Sequence, residues 1–398
     1  MRRVPITPRP DWQAKCEELG FTFHSLPSEN GEPYWRESAA YELTLAEVEK
    51  LEDETKELFD RCMEAVEFVI KNNRFKEFGI AEPFWPLIKE SWEKDQATIY
   101  GRFDLCWQPN GPVKLLEFNA DTPTSLFESS VVQWFWLKDV FGDDKDQFNS
   151  IHENLIEQWR HVRTKRWKFP DGAPLYMASL HDNGDGALLT EDYENTMYMA
   201  ETAQAAGFQT RQIFMEDIQW DADGQSFVDQ NGQPIRSVFK LYPWEWLTNE
   251  GYAEHIIDAW PRTNWIEPIW KMLLSNKQLL VVLWELFPGH PSLLPAFSTD
   301  VPLLSKKRVR KPKLGREGAN VQIIEPDGQV TERQEGGYGE EGYVWQEYQA
   351  LPQFDGWNAV VGSWIVGDTP CGVDFRETST AITGDMAFFV PHYIESHI

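Results

Sequence analysis

The 398-residue chain sets 37 Lys and Arg against 64 Asp and Glu, a net charge of −27 with neutral histidine, at 41% hydrophobic and 25% charged residues. This is the composition of a globular chain long enough for a large core, organised as one big unit or a few interleaved lobes. So acidic a chain excludes nucleic acid and anionic membrane as partners, because polyanion binding needs basic surface and counterion release, whereas cationic small molecules remain welcome. The scattered Cys16, Cys62, Cys106 and Cys371 form no CxxC pair, which predicts reduced cytoplasmic thiols and neither zinc nor a disulfide framework. The start is basic without an apolar run, unlike a secretory signal, and the longest greasy stretch, 279–287, contains Glu285 and is too short to span a bilayer. Most of the 19 tryptophans are expected in the core.

In chain order, Thr44 with Glu47 has capping-box spacing, and Val48, Leu51, Leu58, Cys62, Val66 and Val69 repeat every three to four residues, which predicts a scaffold helix over 44–72. Two strand-like runs then flank Pro109-Asn110-Gly111, predicting a hairpin over 100–121. Alternation puts Arg102 and Asp104 on one face of the first strand, and Glu117 and Asn119 on one face of the second. If the register brings those faces together, hard oxygen ligands for Mg²⁺ meet a cation for phosphate; if not, an edge hairpin shows its polar face to solvent. Residues 175–180, 191–206 and 209–215 read as one β-α-β unit, with Gly207 closing the helix, and 268–287 as a helix stopped at Pro288-Gly289-His290-Pro291, where His290 is a loop residue.

Residues 305–316 then concentrate seven basic side chains, with Gly315 and Gly318 able to turn backbone N–H groups toward phosphate. A Walker A ending is missing, and 321–324 reads as a strand, so the arrangement suggests a flap over a nucleotide triphosphate. Beyond Val309 short alternating runs predict antiparallel β structure, with 325–341 an exposed, mobile hairpin tip.

Several stretches together, in order, resemble the glutathionylspermidine synthase family of ATP-grasp ligases. They are Arg102-Phe103-Asp104 with Glu117-Phe118-Asn119-Ala120-Asp121, Ser275-Asn276-Lys277, Lys311-Pro312 with Gly315-Arg316 and Gly318-Ala319-Asn320, and Val344-Trp345-Gln346-Glu347. The chain is similar to the stand-alone bacterial synthetase-like proteins that lack the amidase domain. The resemblance implies an α/β (α+β) ATP-grasp fold with a preATP-grasp-like β-α-β subdomain and an antiparallel β lid. As one synthetase module over 1–398, it would comprise a helical part with the hairpin (1–165), the β-α-β substrate subdomain (166–265) and the nucleotide part (266–398) with a lid at about 305–343. It also implies that Asp104, Glu117 and Asn119 hold Mg²⁺. ATP would meet Arg102, Phe103, Asp104, Lys277, Lys311, Gly318 and the hinge Gln346, Glu347, Tyr348 and Gln349, with Arg102, Arg316 and Arg376 at the reaction centre. Thr122, Glu191 and Asp192 match positions that hold the peptide-like acid.

The expected activity is therefore ATP- and Mg²⁺-dependent joining of a carboxylic acid, glutathione-like or otherwise, to an amine such as a polyamine, through an acyl phosphate with release of ADP. The partners are small molecules; acid, amine and oligomeric state are not legible. An ATPase or phosphotransferase on the same nucleotide site differs in making no amide, and a non-catalytic Trp-rich binder differs in taking no ATP.

Overall fold

A computed structural model describes residues 1–26, 32–109, 111–166, 172–182, 189–260, 262–384 and 387–395 of a mixed α/β molecule. The helix read from the capping box runs over Leu45–Lys71, with Thr44 Oγ1 accepting from the Glu47 N–H at 3.3 Å and Glu47 accepting from the Thr44 N–H at 2.9 Å. Its periodic residues are all buried, packed on a central antiparallel sheet. That sheet orders Phe388–Val390, Thr369–Thr378, Trp357–Val366, Tyr100–Trp107 and Val113–Asn119 side by side. In the hairpin, Arg102 lies opposite Asn119 and Asp104 opposite Glu117, so the four polar side chains share a face. On the other face Phe103 and Phe118 stack at 3.7 Å between centroids, fixing that register from below.

Leu175–Ser179, helix Thr190–Ala205 and Thr210–Phe214 form a β-α-β unit. It extends into a four-stranded parallel sheet through Ser237–Lys240 and Asn264–Ile266, strands too short to leave a periodicity in the sequence. A third sheet, antiparallel, orders Ala296–Phe297, Tyr343–Glu347, Arg308–Pro312, Gln322–Ile324 and Val330–Arg333. A small fourth sheet joins Arg2–Pro5 to Ala39–Leu43 and that strand to His392–Ile394.

Two expectations need correction. The helix over 268–287 is broken: Met272–Ser275 ends at an extended Asn276 (ψ 129°), and a new helix runs over Gln278–Leu286. Asn276 causes the break, since its side chain donates to the Phe78 carbonyl at 2.8 Å and accepts from the Gln278 N–H at 2.9 Å, starting the second helix as a cap. The hairpin tip expected over 325–341 is exposed along most of that length, but its turn lies near Asp327 and Gly328 and the hairpin ends at Arg333. Residues from Gln334 on fold back, with the Gln334 N–H donating to the Val321 carbonyl at 3.1 Å and Asn320 Nδ2 to the Tyr338 carbonyl. No tryptophan among the described residues is exposed, the four cysteines are buried and unpaired, and no described helix is long and apolar enough to cross a membrane.

Candidate active site

A cavity of about 230 Å³ lies between the polar face of the central hairpin and the overlying antiparallel sheet. Its wall takes Arg102, Asp104, Glu117 and Asn119 from the hairpin, Thr122 and Thr124 from the turn after it, and Lys277 from the helix break. Lys311, Gly315, Arg316, Gly318 and the run from Gln346 to Gln349 come from the overlying sheet and its loop, Arg376 from the central sheet, and Glu191 from the β-α-β helix. Phe103 does not reach it, being on the far face against Phe118, and Asp192 stands off the wall.

At one end, charge is paired. Asp104 accepts from Arg102 Nε at 2.8 Å and is ion-paired with Arg376 Nη2 at 2.7 Å. Burial alone would raise its pKa, but the two guanidinium groups outweigh burial and hold it at about 2. Glu117 likewise is held below the usual carboxylate range against its burial, chiefly by Lys277 at 3.0 Å. Lys277 reaches this point because the helix break leaves its N–H on the Lys313 carbonyl at 2.9 Å and its Nζ on the Gly315 carbonyl at 2.6 Å. Lys311 donates to Gln346 Oε1 at 2.8 Å and to the Leu116 carbonyl at 3.0 Å, and burial pulls its pKa down to about 8 even beside Glu117.

Gly318 has φ +71°, and a Cβ there would fall 2.5 Å from Gln334 Oε1 and 2.7 Å from the Thr383 carbonyl. Only glycine fits, which keeps backbone at the cavity wall.

At the other end Glu191 lines the wall, with Glu128 and Asp192 close to it but off the wall. Glu128, fully buried, accepts from Tyr34 Oη at 2.7 Å, and burial pushes its pKa up to about 7. Burial, then Glu128 and Asp192, raise Glu191 to about 8, and burial raises Asp192 to about 6 against the pull of Arg316. Tyr34 and Glu128 were absent from the sequence reading. A lone Glu in the apolar run Leu126-Phe127-Glu128, ahead of Val131-Val132, was the available signal.

Asp104, Glu117 and Asn119 offer two carboxylates and an amide oxygen, a hard-oxygen set that fits Mg²⁺ sharing its other positions with phosphate and water. Among the described residues no group of three or more His, Cys, Asp and Glu could hold a metal ion. Lysine and arginine side chains, hard oxygens and, at the other end, the carboxyl of Glu191 thus face one space.

The family model described as "Glutathionylspermidine synthase preATP-grasp" matches residues 3–395. The chain is 42% identical over 402 residues to the Haemophilus influenzae protein named "Putative acid–amine ligase", covering 99% of both. It is 29% identical to the trypanothione synthetase of Crithidia fasciculata and 26% identical to the bifunctional glutathionylspermidine synthetase/amidase of Escherichia coli. It spans about half of each, 52% and 56%. A solved glutathione synthetase-like effector of Globodera pallida shares the fold at a TM-score of 0.57 and 8% identity, over 97% of this chain and 96% of that one. Together with the ordered site residues, these matches make the chain a member of the glutathionylspermidine synthase family.

Proposed function

We propose that the protein is an ATP-grasp acid–amine ligase, activating a carboxylic acid as an acyl phosphate and passing it to an amine with release of ADP and phosphate. The observation that carries this reading is the cavity itself. One space is lined by Lys277 and Lys311, the run from Gln346 to Gln349, the oxygen ligands Asp104, Glu117 and Asn119, and the arginines 102, 316 and 376. A carboxylate is inert to amines near neutral pH, so this pairing of nucleotide-type cations with an acid-activating centre is what the chemistry requires.

Lys277 and Lys311, on different elements, would grip the phosphates by charge-assisted hydrogen bonds, and Gln346 to Gln349 would line the base. Asp104, Glu117 and Asn119 would hold Mg²⁺, which when bound neutralises phosphoryl oxygens. Arg102 and Arg376, already neutralising Asp104, would exchange part of that pairing for the phosphoryl and carboxylate oxygens as charge develops there. Glu191, with Asp192 behind it, would take a protonated amino group carried by either substrate, and Thr122 a polar group of the acid. The strands and loop of 305–343 would act as a lid excluding water from the activated acid.

The test is the product. Mg·ATP with a panel of small peptides and γ-glutamyl acids, crossed with polyamines and amino acids, should yield ADP that rises when the right pair is present, and a mass equal to acid plus amine minus water. AMP as nucleotide product would refute the acyl-phosphate route. ADP that never couples to an amide across the panel would favour a phosphotransferase.

A further inference from the structure

Arg316 sits on the lid loop, yet its guanidinium is held from outside the lid. Nη1 donates to Thr122 Oγ1 at 2.7 Å, Nη2 donates to Glu245 Oε1 at 2.9 Å, and the ring of Trp246 lies 5.8 Å from its central carbon. Glu245 is nine-tenths buried, so its carboxylate has exchanged most of its water for this partner. The arrangement leaves Arg316 Nε buried with no hydrogen-bond partner, on a side chain that lines the cavity.

Glu245 is itself placed by the turn that follows the hairpin. It belongs to the short helix Trp244–Leu247, whose first N–H donates to Asp121 Oδ2 at 2.8 Å, and Asp121 Oδ1 takes Lys240 Nζ at 2.7 Å. Asp121 and Lys240 are both fully buried, so this anchor is fixed by packing on all sides. Thr122, the other anchor of Arg316, is the next residue along. One short stretch after the hairpin thus sets both points to which the lid arginine is tied.

From this geometry we infer that Glu245 is a positioning residue: through its bond to Arg316 it latches the lid loop over the cavity and holds that cavity-lining side chain in one orientation. The inference rests on the ligase reading only for what the cavity holds, because the latch itself joins two side chains of this chain. With Nη1 and Nη2 both committed, the side chain has little rotamer freedom left to lose on binding. Glu245 touches the arginine and never the substrate.

Hydrogen–deuterium exchange of the free full-length protein tests it. In E245A and in R316A, amides over 313–322 should exchange about tenfold faster than in the wild type, the cost of losing one charge-assisted bond of a local opening. The double variant should be no faster than R316A, since Glu245 acts through that arginine. E245Q, which keeps an acceptor, should fall between. Exchange in Leu175–Ser179 and Thr210–Phe214 should be unchanged. Wild-type exchange over 313–322 in E245A, additive effects in the double variant, or equal loosening of those parallel strands would each overturn the assignment, the last making Glu245 a core residue only. Calorimetry with Mg·AMP-PNP separates the two claims. E245A should bind within about threefold of wild type, because Lys277, Lys311 and Gln346 are untouched. A wild-type protein that binds no AMP-PNP would sink the nucleotide reading, while the exchange data still decide the latch.

Discussion

The two ends of the cavity handle buried charge in opposite ways. At the end built from the hairpin, each carboxylate has a cation against it: Asp104 lies between Arg102 and Arg376, and Glu117 meets Lys277. At the other end, where Tyr34 and Glu191 line the wall and Glu128 lies buried off it, carboxyls crowd one another and are pushed toward neutrality, at about 7 for Glu128 and about 8 for Glu191. Asp104 and Glu128 are both buried, so the neighbours decide the sign. A region of paired charges is pre-organised to take an anion and a metal together by exchanging partners. A region of crowded carboxyls releases its strain when a cation arrives. Polarity is thus written along the cavity before any ligand enters.

The largest test of this contrast is Glu117→Gln. Removing one charge from the paired end should lower ADP release at limiting Mg²⁺ by roughly a hundredfold or more, on the scale of losing a group that stabilises the transferring phosphoryl. Near-wild-type turnover would show that the pair is structural. Smaller is the effect of Lys311→Ala, which should weaken Mg·AMP-PNP binding by about tenfold to a hundredfold in calorimetry, the range for a hydrogen bond to a charged group. The same lysine gives a sign. Its pKa in the free protein is depressed to about 8 and phosphate selects the protonated form, so wild-type affinity should fall as pH rises through 8. Lys311→Arg should flatten that fall, because a guanidinium stays charged.

The smallest expected effect lies at the crowded end. A carboxyl with a raised folded pKa stabilises the fold below its unfolded pKa, and that contribution is lost as pH rises through the folded value. Glu128, raised to about 7, should therefore cost stability between about pH 5 and 8. Glu128→Gln, a permanent mimic of the neutral acid that still accepts from Tyr34, should raise the melting temperature at pH 8 by about 1–3 °C and change it little at pH 5. An equal shift at both pH values would mean that shape, not charge, is at work.

What the sequence told and what it withheld divide along the same lines. Thr44 and Glu47, the apolar period of the long helix, and the alternation in the hairpin are local signals, and they led to Leu45–Lys71 and to the face shared by Arg102, Asp104, Glu117 and Asn119. Arg376 was reached by resemblance alone, since it meets Asp104 from a strand most of the chain away. Asn276 was read as helix because nothing local reveals that its amide would prefer the Phe78 carbonyl, and that break is what turns Lys277 into the site. Tyr34 and Glu128 meet only in three dimensions, as do Arg316 and Glu245. The pattern of one segment cannot report a partner supplied by another.

The central sheet carries a consequence for how the molecule comes into being. Tyr100–Trp107 pairs on one side with its hairpin mate Val113–Asn119 but on the other with Trp357–Val366, which the ribosome makes much later. During synthesis the hairpin must wait with one edge unmatched, its Phe103 and Leu105 without their final cover. Arg376 arrives later still, so Asp104 lacks one of its two guanidinium partners until that strand has been made. A chain cut short before that strand would carry the metal-type oxygens on an open edge without the arginine that completes their setting, and such a fragment is prey for chaperones and proteases rather than a partial enzyme.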